Sequence, residues 1–167
     1  VGGLSRGETA NSLLMMAIAL ACGFLSWGVI SERLGRLGIS PMKTSLFGMA
    51  IFSIVQLILI SEPISFMVPA LVLFAFFGTA GSLSYAGLVY IFPAHLAGRV
   101  YTTVNLLVFI VAFTAQWGIG LIINLWPQPA PGQFSAIGYQ VAFTTVLSIQ
   151  LSCFAWIWIA KLIRPQK

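Results

Sequence analysis

The chain has 167 residues with a formal net charge of +5, from eight Lys or Arg and three Asp or Glu. Only 7 % of positions are charged and 59 % are apolar, with a mean hydropathy of +1.02. A soluble domain is about 25 % charged, and so few polar side chains cannot cover its surface, which excludes an ordinary globular domain, a disordered chain and a nucleic-acid binder.

The fold class implied is all-α: a polytopic membrane protein. A helix needs about 20 apolar residues to cross the hydrocarbon core. Residues 11–30 are uncharged and form the first expected span, after an extracytoplasmic segment 1–10. The second covers 44–61 and stops at Glu62 and Pro63. The third covers 66–92, long enough to tilt, and stops at Pro93. Residues 100–160 carry no charge, too long a run for one helix, and Pro127, Pro129, Pro131 and Gly132 divide it. The fourth and fifth expected spans are therefore 100–125 and 139–163, with a tail at 164–167. The five-helix membrane domain is 11–163. Barrel strands would alternate apolar and polar residues over about ten positions, and these runs do not.

Val1 is not an initiator Met, as expected of a piece of a longer chain, and no signal-peptide pattern follows it. Cys22 and Cys153 lie inside apolar runs with no metal-site spacing, and read as small packing residues.

Charge sets the expected orientation. Arg33, Arg36, Lys43, Arg99, Lys161, Arg164 and Lys167 fall on one side of a five-span topology, and Arg6 alone on the other. By the positive-inside rule the seven-cation side is cytoplasmic, the N-terminus is outside and the C-terminus inside. Trp126, Trp156 and Trp158 lie at expected span ends and suit either interfacial belts or packing.

Residues 28–36 read G-x-x-x-E-R-x-G-R, with Gly28, Glu32, Arg33, Gly35 and Arg36 directly after a full apolar span. Gly28 is expected to allow close helix approach and Gly35 to permit the turn. Glu32 could pair with Arg33 or Arg36, or sit at a helix N-terminus. The plain alternative is a basic turn that serves topology alone. The pattern resembles the signature loop of the major facilitator superfamily, G-x-x-x-D-R-x-G-R followed by a basic residue. That loop joins helices two and three and recurs in weaker form between helices eight and nine. Here Glu32 replaces Asp and Leu37 stands where a basic residue is common, which suits the second copy. Phe92, Pro93, Gly98 and Arg99, followed by Asn105, resemble the family's connection between helices ten and eleven. Gly78, Gly81 and Gly87 in the third span, and Gly118 and Gly120 in the fourth, also fit.

The resemblance implies helices eight to twelve, a partial C-terminal half of the family's fold. The partners would be the N-terminal half of the same transporter, membrane lipid, a small-molecule substrate and a coupling ion. The location would be a cell membrane such as the bacterial inner membrane. No cofactor, metal or nucleic acid is implied. The first, third and fourth spans would line the central cavity. In the fourth, Thr102, Asn105, Phe109, Ala112 and Gln116 recur at steps of three and four, which is one helical face. Gln116 is the leading substrate-contact candidate, since an amide both donates and accepts; the alternative is an interhelical hydrogen bond. Ser82 and Tyr85 are candidates in the third span, against a packing role for its small residues. Cys22 and Ser26 in the first span read as packing, and Gln56 and Gln150 as structural bonds. His95 falls in a loop as a solvated residue.

No Asp, Glu, Lys, Arg or His lies mid-span, so a proton-coupling group, if the intact protein uses one, is expected in the other half. The leading expectation is transport of a small solute by alternating access, with no covalent chemistry. The alternative is a five-span assembly or sensor subunit. An intramembrane enzyme would need a nucleophile and base or a metal set at one depth, and His95 is the only histidine.

Overall fold

A computed structural model describes residues 6–61, 66–89, 92–130 and 133–163. In chain order these form α1 (Arg6–Arg36), α2 (Pro41–Ile60), α3 (Met67–Gly78), a 3-10 turn (Thr79–Ser82), α4 (Leu83–Val89), a second 3-10 turn (Ala94–Leu96), α5 (Ala97–Ile123) and α6 (Ala136–Ile163). The described residues contain no strand. Five helical segments are long and apolar enough to cross a membrane: Arg6–Arg36, Pro41–Ile60, Met67–Leu88, Ala94–Ile123 and Ala136–Ala160. The protein is an all-α polytopic membrane protein.

The boundaries move for local reasons. The first helix starts at Arg6 rather than 11, with Glu8 in its first turn, and runs through Arg36 rather than ending at 30. Arg33 and Arg36 occupy its last turn, where cations complement the helix dipole. The segment expected as a loop at 31–36 is therefore helical. The reversal comes later and is built as a Schellman motif. Gly38 has φ +81, its N–H donates to Gly35 O at 3.0 Å, and the Ile39 N–H reaches back to Leu34 O at 3.0 Å. The turn thus rests on Gly38, not on Gly35 as the sequence suggested. Two residues on, Ser40 caps α2: its Oγ accepts from the Lys43 N–H at 3.4 Å, with Pro41 in the first turn. This cap starts α2 three residues before the expected span.

The third span is interrupted. Four residues of 3-10 helix at 79–82 separate α3 from α4. The expected ends at Glu62 and Pro63, the divider residues Pro131 and Gly132, and the tail 164–167 lie outside the described residues. The chain turns out of α5 after Ile123, two residues short of the expected end, and α6 starts at Ala136, three residues early.

Two compact units make up the chain, divided between Thr114 and Ala115 within α5. In the first, the third span packs against both α1 and α2 more extensively than those two pack on each other. The buried faces mix small and hydroxyl residues with a few large ones: Ser12, Ala19 and Gly23 with Trp27 on α1, and Thr44, Ser45, Gly48 and Ser53 with Phe52, Val55, Gln56 and Leu59 on α2. Close backbone approach supplies packing where no hydrophobic effect drives helices together. Trp27, Ala80 and Leu83 form its centre, with Phe76 and Phe77 against them. The indole stands edge-on to Phe77 at 5.9 Å, and Phe52 lies 4.4 Å from Phe74 between ring centres. In the second unit Gly138 packs on the backbone of Ile123; a Cβ there would lie 3.2 Å from the Ile123 Cα.

Candidate functional site

The motif residues sit on the last three turns of α1. Of the two cations open to Glu32, the structure selects Arg36: Nη2 donates to Oε1 at 2.7 Å, an i,i+4 pair with both side chains largely exposed. Glu N-terminal to its cation at this spacing is the favourable order on a helix. Arg33 is exposed one residue along. A Cβ at Gly28 would meet nothing within 4 Å, and the same holds for Gly35. The close approaches fall instead at Gly23 and Gly48. A Cβ at Gly23 would lie 2.7 Å from Phe76 O, and one at Gly48 2.8 Å from the Trp27 ring.

On α5, Thr102, Asn105, Phe109 and Ala112 share one face of an unbroken helix and are all exposed. Gln116, in the second unit, is exposed as well. The Thr102 hydroxyl donates to Gly98 O at 2.9 Å, which leaves its oxygen to accept. Phe109 is 65 % exposed. The other sides of α5 are exposed as well, with Leu106, Leu107, Val108, Ile110, Val111 and Phe113 all open, so what marks this face is its side chains and not its exposure. Arg99 and His95 are exposed at the start of α5 and in the turn before it.

In the third span Ser82 is half-buried and donates to Thr79 O at 2.8 Å. Tyr85 is half-buried on α4 and stacks on Tyr101, with ring centres 6.1 Å apart and planes 8° from parallel. The structure thus brings one candidate from the third span to the start of the fourth. Sequence reasoning passed over Tyr101. The available signal was its position one turn before Asn105 on the same face.

Cys22 and Cys153, read from the sequence as small packing residues, are free thiols on exposed positions. Gln56 is fully buried on α2, as a structural role requires. Among the described residues no group of three or more His, Cys, Asp or Glu could hold a metal ion.

No family model, no curated protein and no solved structure matches this chain. The class defined by the fold is an integral membrane protein, with five membrane-length helices among the described residues.

Proposed function

We propose that this chain is part of a secondary transporter of the major facilitator type, corresponding to its helices eight to twelve, and that the whole protein moves a small solute by alternating access. The observation that carries the reading is the G-x-x-x-E-R-x-G-R pattern of residues 28–36, with its acid and second arginine paired at 2.7 Å on an exposed helix end. An exposed ion pair of this kind is worth little to stability, so it is free to open and reform with a partner loop. The exposed face of Asn105 and Phe109, with Gln116 beyond, supplies the solute-contacting wall. The seven-to-one distribution of cations supports a cytoplasmic C-terminus, in a membrane such as the bacterial inner membrane. The mechanism uses rocking of two halves and needs no covalent step.

Two measurements test this. Reading the coding frame upstream of Val1 should reveal about seven more apolar spans, with a second G-x-x-x-D-R-x-G loop after the second of them. In the full-length protein in vesicles, with the native thiols replaced, Asn105→Cys and Gln116→Cys should react with a membrane-impermeant maleimide, each from one side. A start codon immediately before Val1, together with both positions inert to the reagent, would leave the five-span assembly or sensor subunit as the better reading.

A further inference from the structure

A membrane helix satisfies its carbonyls within itself, yet at 76–81 the third span receives five side-chain donors. Thr79 Oγ1 and Trp27 Nε1 both donate to Phe76 O, at 2.7 and 3.4 Å. Ser82 Oγ donates to Thr79 O at 2.8 Å, Ser84 Oγ to Gly81 O at 2.7 Å and Ser45 Oγ to Ala80 O at 2.9 Å. Two of these donors come from other helices, Trp27 from α1 and Ser45 from α2. Ser45 grips the four-residue 3-10 turn Thr79–Ser82 itself, at the buried centre of the unit where Ala80 is wholly enclosed, and Trp27 holds the last turn of α3 directly before it. A 3-10 turn makes poorer internal hydrogen bonds than an α-helix, which leaves Ala80 O open to the Ser45 hydroxyl.

The geometry of the two helix types gives this turn a large lever. A 3-10 helix rises ~2.0 Å per residue at three residues per turn, against ~1.5 Å at 3.6 for an α-helix. Converting four residues to α geometry draws α4 in by about 2 Å and turns it by roughly 80°. Gly87, which now abuts Met42 at the start of α2, would give way to Leu88. Tyr85, now stacked on Tyr101, would give way to Ala86. We propose that Thr79–Ser82 is a two-state element that switches between 3-10 and α geometry, that Ser45 and Trp27 hold it in the 3-10 state, and that the switch makes and breaks the Tyr85–Tyr101 stack. The switch stands on contacts within this unit and does not depend on the transport reading.

The test is 19F NMR of the full-length protein in lipid nanodiscs, labelled with 3-fluorotyrosine. Tyr101 is assigned by its loss in Tyr101→Phe, and Tyr85→Ala marks the shift of an unstacked Tyr101. Ser45→Ala and Trp27→Phe each remove one outside donor without adding bulk. Each should raise the unstacked population about three- to fivefold. The Tyr101 signal then moves toward the Tyr85→Ala position, or splits toward it if exchange is slow. Relaxation dispersion on the unmodified chain should show exchange in the microsecond to millisecond range. A Tyr101 signal unmoved in whichever variant retains its helical circular dichroism, with no dispersion in the unmodified chain, overturns the switch. No substrate is needed, so this result and a failed accessibility experiment on Asn105 and Gln116 remain distinguishable.

Discussion

Gly48 packs against the six-membered ring of the Trp27 indole. A methyl group at Gly48 would sit 2.8 Å from the ring Cη2 and closer still to Ala80 Cβ. Both neighbours are at the packed centre of the first unit, with Trp27 only 3 % exposed. Gly48→Ala is therefore expected to destabilise by about 1–3 kcal/mol through overpacking. Gly28→Ala, with open space around the new methyl, should be neutral or gain up to about 1 kcal/mol from helix propensity. Reversible unfolding in mixed micelles, followed by circular dichroism, ranks the two.

The turn after α1 makes a second contrast between glycines. Gly38→Ala places a Cβ at φ +81 and should cost about 1–2 kcal/mol. Gly35→Ala stays in helical geometry and should cost nothing measurable. Equal losses at both positions in the same unfolding experiment would contradict the Schellman geometry.

Glu32→Gln breaks the ion pair with Arg36. Because both side chains are largely exposed, stability should change by less than about 0.5 kcal/mol. On the transport reading, uptake or efflux by the full-length protein should nevertheless fall severalfold, since the pair would serve the moving loop and not the fold. A loss of activity matched by an equal loss of stability would argue against that role.

Cys22 and Cys153 face outward. A lipid-soluble maleimide should label both in the folded protein without denaturant, and mass spectrometry counts the adducts. Protection of either thiol until unfolding would mean that the position is covered.

Much of this fold was legible in the sequence, because a membrane span is a property of composition over about 20 residues. The five segments follow from uncharged runs together with the prolines that end or divide them. What could not be read locally were the features that depend on a neighbour. Residues 79–82 carry no helix breaker stronger than Gly81, and the outside bonds at this point come from far away in the chain: Ser45 reaches Ala80 O from 35 positions away, and Trp27 reaches Phe76 O, just before the turn, from 49. Gly28 and Gly23 are both small residues on one helix; only the position of Phe76 shows that the close approach within this unit falls at Gly23. The extension of α1 through the motif was readable in principle from the Glu32–Arg36 spacing, but an ER-x-GR run after an apolar stretch looks like loop. The face of Asn105 and Phe109 was visible as a periodicity. The stacking of Tyr85 on Tyr101 was not, since it joins two elements across a Pro-containing connection.

The third span is the one on which α1 and α2 both depend for their main contacts. A ribosome delivers it last of the three. At ~5–20 residues per second, the roughly thirty residues after Ile60 take on the order of seconds to emerge. During that interval α1 and α2 reside in the bilayer with the small-residue faces of Gly23 and Gly48 against lipid and Ser45 without the Ala80 carbonyl. Any factor that shields nascent membrane helices would therefore meet this chain at one defined stage of its synthesis, after the second helix is complete and before the fourth begins.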